Sequence, residues 1–222
     1  MFNLIPVRPL VEILENKEFN GMGQDPAGNA LNGTSGGNLM IYLASYEPGG
    51  TLYNREREHL LGRSLLNFGL LKEYGRTWEV MAQAGTKPYL EGAGGVEFNI
   101  SHTEGLVVCA IGDSVLGVDT ERIRPFKGSL MRRMCSEAER SFVMSAASET
   151  ERQERFFRLW TLKESFAKAI GRGLAFPLGD ITFYLEKGGV KGSIPGWRFY
   201  QSRVYQSYII SVCAADEKGE AV

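Results

Sequence analysis

The sequence predicts an α+β fold of two pseudo-symmetric halves, each a long helix packed on a small, mainly antiparallel sheet. Two observations carry this. Apolar residues recur at helical spacing in two long stretches, about Asn54 to Tyr74 and about Glu149 to Ile170, and each ends at a glycine, Gly75 or Gly171. Each stretch is then followed by short apolar runs of strand length, so a helix-then-strands order occurs twice. The join falls near Asp113 to Leu116, which divides the chain into residues 1–114 and 115–222.

Taken in order, residues Asn20 to Asn38 (NGMGQDPAGNALNGTSGGN) show neither helical nor alternating pattern and read as a loop. Its GMGQDPAG stretch lacks the preceding strand, the following helix and the Lys-Ser/Thr pair of a phosphate-binding P-loop. Leu39 to Ser45 reads as a strand, and the first helix is assigned an apolar stripe of Leu60, Leu61, Leu65, Phe68 and Leu71. Strands follow at Val96 to Ile100, Leu106 to Ile111 and Val115 to Glu121, the last two joined by a Gly112-Asp113-Ser114 turn. After the second helix come strands at Ile181 to Leu185, Trp197 to Gln201 and Tyr208 to Ala214.

At 222 residues and 43% hydrophobic composition the chain can bury a substantial core. Its 25 basic and 26 acidic residues give a net charge of −1, so no global field attracts nucleic acid or an anionic membrane. The N-terminal MFNLIPVRPLVEILENKEF holds Arg8, Glu12 and Glu15 and no uninterrupted apolar run, which fits neither a signal peptide nor a membrane span. Cys109, Cys135 and Cys213 lack metal-ligand spacing and read as reduced core residues of a cytoplasmic protein.

The segment SVLGVDTE places Asp119 and Glu121 two residues apart, on one face of a strand and about 6 to 7 Å apart. Alone, the pair is most simply a polar strand end. A third carboxylate, Glu164 in WTLKESFAKAIGRGL, tilts the reading toward a Mg²⁺ site, for which three carboxylate oxygens are a usual protein contribution. Lys168, one turn beyond Glu164, can reach a phosphate as a point charge or pair with Glu164 as an ordinary surface ion pair. Lys163 lies about 100° around the helix. Ser101 and His102 in FNISH are adjacent on a strand and point to opposite faces, so a Ser-His nucleophilic dyad cannot form without a sharp turn; phosphate or base contact is the better functional reading, with a structural histidine the alternative for His102.

Together FNISH, GVDTE and FFRLWTLKESFAKAIGRGL resemble the F-N-x-S-H, G-[VI]-D-x-E and W-x-x-K-E-[SA]-x-x-K-x-x-G-x-G-L motifs of surfactin-synthetase-activating 4′-phosphopantetheinyl transferases, in order and with matching separations, over about Asn54 to Leu185. The resemblance implies that family's two-halved monomeric fold. It implies transfer of the 4′-phosphopantetheine arm of coenzyme A to a serine of an apo acyl, polyketide or peptidyl carrier protein, with 3′,5′-ADP released. It also implies Mg²⁺ ligands at Asp119, Glu121 and Glu164, a pyrophosphate contact at Lys168, coenzyme A contacts at Lys87, Ser101, His102 and Asp119, and a base toward the carrier serine at Glu139 or its neighbour Glu137. Around the first helix this chain departs from the family, with His59 and only Arg55, Arg57 and Arg63 where basic residues usually cluster.

Between the D-x-E strand and the next helix, RIRPFKGSLMRR (Arg122 to Arg133) combines five basic residues with Phe126, Leu130 and Met131. With carrier proteins of this class being small and acidic, Arg122 to Met134 is the expected docking segment, its charges speeding encounter and its apolar residues holding the complex. The competing reading is a catalytically silent module that binds coenzyme A or a carrier without transfer.

Overall fold

A computed structural model describes residues 11–14, 39–49, 51–173, 176–186, 189–192 and 194–216. The glycine-rich segment Asn20 to Asn38 lies outside these residues. The first sheet has the order β1-β2-β6-β5, from β1 (Val11–Leu14), β2 (Leu39–Ser45), β5 (Glu97–Thr103) and β6 (Leu106–Gly112), all antiparallel. The second has the order β10-β11-β7, from β7 (Leu116–Arg122), β10 (Trp197–Val204) and β11 (Tyr208–Ala215), also antiparallel. Short hairpins pair β3 (Val80–Met81) with β4 (Tyr89–Leu90), and β8 (Phe183–Glu186) with β9 (Gly189–Gly192).

Strand alternation sets the layers. One face of the first sheet (Tyr42, Ala44, Val107, Cys109, Ile111) packs on helix α1 (Thr51–Tyr74) through Leu65, Leu66 and Leu70. Its other face (Leu39, Ile41, Leu43, Leu106, Val108, Ala110) meets Leu116 and Val118 of β7 and Ile210, Val212 and Ala214 of β11. The far face of the second sheet, with Phe199, Ile209 and Cys213, lies on the long helix α4 (Glu149–Ala169) through Phe157, Leu159, Leu162 and Phe166. The result is four layers, helix, sheet, sheet, helix, an α+β arrangement in which each half contributes one helix and one sheet.

The assigned stripe of α1 is corrected. Leu65 is buried and Leu61 partly so, but Leu60, Phe68 and Leu71 are 66%, 45% and 56% exposed. The face that meets the sheet runs through Gly62 and Gly69, where a Cβ at Gly69 would stand 2.5 Å from Ile111 Cδ1 and 2.6 Å from Tyr42 Cε2. Close helix-to-sheet approach selects glycine, which a hydrophobic pattern cannot register.

Two short helices that periodicity does not reveal, α2 (Gly128–Met134) and α3 (Glu137–Met144), lead from β7 to α4. Ser136 caps α3, its hydroxyl accepting from the Glu139 N–H while Glu139 accepts from the Ser136 N–H. Cys109, Cys135 and Cys213 are free and buried, as the sequence suggested, and burial raises their thiol pKa values, that of Cys135 to about 12. Among the described residues no helix is long and apolar enough to cross a membrane.

Candidate active site

The site forms where the two sheets meet along β5 and β7. Asn99, Ser101 and Thr103, alternate residues of β5, face β7 and bind it through side chains. The Asn99 carboxamide oxygen accepts from Val118 N–H at 2.9 Å, and Ser101 Oγ accepts from Thr120 N–H at 3.2 Å. Two side chains thereby satisfy backbone donors that a further strand would otherwise take. Phe98, Ile100 and His102 lie on the opposite face, toward α1, so Ser101 and His102 diverge as the strand period requires.

Asp119 is the hub. Ser101 donates to Asp119 Oδ1 at 3.0 Å, and Lys168 Nζ donates to that oxygen at 2.7 Å and to Ser101 Oγ at 2.8 Å. Lys168 thus bridges α4, β5 and β7, and its ion pair is with Asp119. Glu164, one turn earlier on α4, is 7% exposed, and its Oε1 has no partner. Burial first and the Asp119 charge second raise its carboxyl pKa to about 7. Glu121 is raised by the same two causes in the same order, and its Oε2 is held by Arg124 at 2.7 Å. Asp119 Oδ2 is the second buried carboxylate oxygen without a partner.

As placed, no three His, Cys, Asp or Glu side chains among the described residues stand close enough to enclose a metal ion. Glu121 Oε2 is paired with Arg124, and Lys168 covers one oxygen of Asp119. The donor chemistry nevertheless fits a hard divalent cation. Two buried carboxylate oxygens lack partners, and two carboxyl pKa values are raised by burial and mutual repulsion, the signature of an acidic cluster short of positive charge.

The remaining expected residues fall differently. Lys87 pairs with Glu97 at 2.7 Å, and its Cβ would be 3.7 Å from a Cβ at Gly171, just past the end of α4, so it stands at the seam of the halves. His102 is half-exposed and faces Glu58 of α1. Glu139, the expected base, is enclosed. It is 2% exposed, with Oε2 taking Ser136 N–H at 2.8 Å and Lys163 Nζ at 2.6 Å, and Oε1 taking Phe183 N–H at 2.9 Å. A carboxylate so enclosed anchors the fold; Glu137, its alternative, is exposed on the first turn of α3.

The expected docking segment is only partly exposed. Phe126 stacks on Phe156 at 4.0 Å, Met131 and Met134 are buried, and Leu130 packs against the core, so these apolar residues are spent inside. Lys127, Arg132 and Arg133 are exposed.

A family model described as the 4′-phosphopantetheinyl transferase superfamily matches residues 115–213. A 4′-phosphopantetheinyl transferase of Bacillus subtilis is 32% identical over 173 residues, 73% of this chain and 77% of the relative. The 4′-phosphopantetheinyl transferase Sfp of Bacillus subtilis strain 168 is 32% identical over 60% of this chain and 54% of its own length. The gsp transferase of Aneurinibacillus migulanus is 32% identical over 54% of this chain and 52% of its own, so these last two alignments span about half of each relative.

Proposed function

The chain belongs to the 4′-phosphopantetheinyl transferase superfamily, and from that premise we propose which of its residues perform the transfer and how. The protein is an enzyme of this type: it moves the 4′-phosphopantetheine arm of coenzyme A onto a serine of a carrier protein and releases 3′,5′-ADP. The relatives bear transferase names, and the silent-module reading has no support among them.

The observation that carries the residue assignment is the meeting of Asp119, Glu121, Glu164 and Lys168 at the seam, with Asp119 Oδ2 and Glu164 Oε1 buried and unpartnered. Asp119, Glu121 and Glu164 would hold Mg²⁺, which when bound supplies charge neutralisation at the pyrophosphate. Lys168 Nζ, held beside Asp119 and Ser101, would neutralise the negative charge that collects on the departing 3′,5′-ADP. The serine oxygen forms a bond to the phosphorus that carries pantetheine, and the bond from that phosphorus to the bridging oxygen breaks. The serine proton passes to a carboxylate of this cluster, and we assign Glu164 as that acceptor on its unpartnered Oε1. Lys87 and His102 flank this centre as coenzyme A contacts.

Lys127, Arg132 and Arg133 form an exposed basic rim beyond the metal strand, and we assign it the steering of an acidic carrier. The site draws β5 from residues 1–114 and β7 and α4 from residues 115–222, so one chain completes it and a monomer suffices. Three free, buried cysteines support a cytoplasmic setting.

Intact-mass measurement of apo carrier proteins incubated with the protein, coenzyme A and Mg²⁺ tests the assignment. Addition of one phosphopantetheine arm is expected, abolished by EDTA and by Asp119→Asn. Undiminished transfer with either would refute the metal assignment.

A further inference from the structure

Glu58 of α1 is a carboxylate buried to 7% exposure outside the catalytic cluster, and nothing in the transfer reaction uses it directly. It gathers two donors from two other elements. Tyr46, just after β2, donates its hydroxyl to Glu58 Oε1, and His102 Nδ1 of β5 stands 3.0 Å from Glu58 Oε2. Burial first, and the Glu58 hydrogen bond second, raise the Tyr46 phenol to about 12, so it remains a donor. A carboxylate can only accept, so the proton at this contact sits on His102 Nδ1.

Burying a carboxylate is costly, and a well-packed apolar pair in its place would be as stable or more so, which points to a purpose other than stability. The Glu58 contact fixes both the rotamer of the His102 ring and the identity of its free nitrogen. With Nδ1 engaged, the half-exposed ring has only Nε2 to offer a ligand.

We propose that Glu58 is a positioning residue: its carboxylate accepts from His102 Nδ1–H and fixes the ring orientation that presents Nε2 to coenzyme A, where the Nε2–H of the doubly protonated ring donates to a phosphate oxygen. The inference rests on the assignment of His102 as a coenzyme A contact and adds the residue that aims it. Carboxylates hold metal-bound histidines in this way, and loss of such a partner typically costs about 10-fold or more in affinity. Here the ligand is an organic phosphate ester, whose oxygens accept from Nε2–H instead of taking its lone pair, so an effect of about 5- to 10-fold is expected.

The test uses the full chain with ¹⁵N-labelled histidine, its two histidine signals assigned by comparison with His102→Ala. In the unsubstituted protein His102 is expected as the Nδ1-protonated tautomer when neutral. Glu58→Ala should return it to the commoner Nε2-protonated form and raise KM for coenzyme A about 5- to 10-fold, with kcat within about twofold. Glu58→Gln, which keeps an acceptor oxygen, should retain the tautomer and restore KM to within about twofold, and Glu58→Ala should add nothing in a His102→Ala background. An Nε2-protonated His102 in the unsubstituted protein, with KM still raised by His102→Ala, overturns the role of Glu58 alone. An Nδ1-protonated His102 with KM untouched by His102→Ala overturns the coenzyme A assignment and this proposal with it. The tautomer measurement needs no variant that buries a new cavity, so poor folding of Glu58→Ala leaves the decision intact.

Discussion

A Cβ placed on Gly117 would lie 2.1 Å from the carbonyl oxygen of Ser165 and 2.5 Å from the amide nitrogen of Ala169. The first strand residue on the α4 side therefore has to be glycine for α4 to rest directly on β7. That contact sets the height at which Glu164 and Lys168 stand over Asp119, two residues further along the same face. Gly117→Ala is expected to push the helix off the strand, costing about 1 to 3 kcal/mol in urea unfolding and most of the transfer activity. A variant as stable and as active as the parent would show that the helix does not set the site.

Glu164→Gln separates stability from catalysis. The acid form of Glu164 is favoured in the folded chain, where its pKa is about 7, over the unfolded chain near 4.5, so the folded state binds the extra proton. The contribution to stability is therefore present below the unfolded value and is lost as pH rises toward about 7. At pH 8 without metal, Glu164→Gln should melt higher than the parent while losing at least about 100-fold in kcat. A lower melting temperature together with normal turnover would contradict both parts.

The same sign predicts how Mg²⁺ acts on stability. Glu121 and Glu164 both have raised carboxyl pKa values, so protons compete with a cation for their oxygens at low pH. The rise in melting temperature on adding Mg²⁺ should be small near pH 5 and larger near pH 8. It should vanish at both pH values in Asp119→Asn. A pH-independent rise would place the ion elsewhere.

The motifs made this centre legible in the sequence, because Asp119 and Glu121 share a strand face whatever the tertiary structure does, and Glu164 and Lys168 share a helix face. What periodicity could not supply was the partner of each group. Lys168 reads equally as an i, i+4 partner of Glu164, yet Asp119 takes it, because α4 is buried on nearly every side here. Asn99 carried a signal in its period of two with Ser101, but its role as a stitch to Val118 depends on the seam between sheets. Glu58 showed none, since an acid between Arg57 and His59 on a charged helix stretch is ordinarily solvated.

Glu139 and Lys163 form a pair whose side chains are 1% and 0% exposed, 2.6 Å apart, with Lys163 also donating to the carbonyls of Leu178 at 2.8 Å and Ile181 at 2.6 Å. Removing one partner strands a buried charge, so Glu139→Ala should cost about 3 to 5 kcal/mol in unfolding free energy. An anchoring role for Glu139 predicts that whatever fraction of the variant folds keeps kcat within about threefold when normalised to folded protein. A stable Glu139→Ala protein with kcat reduced by orders of magnitude would restore it to the chemistry.

Phe126, Leu130 and Met131 pack inward, which leaves charge at Lys127, Arg132 and Arg133 for the proposed encounter with an acidic carrier, and charge at an exposed rim acts mainly on encounter. Exposed charges are screened over about 10 Å at 0.1 M salt, so their effect should fade as salt rises. Arg132→Glu with Arg133→Glu is expected to raise KM for an acidic carrier about 10-fold at 20 mM salt and by less than about twofold at 0.5 M, with KM for coenzyme A unchanged. A penalty that persists at high salt would mean that these arginines make close contacts in the bound complex, and no penalty at low salt would move the docking surface away from α2.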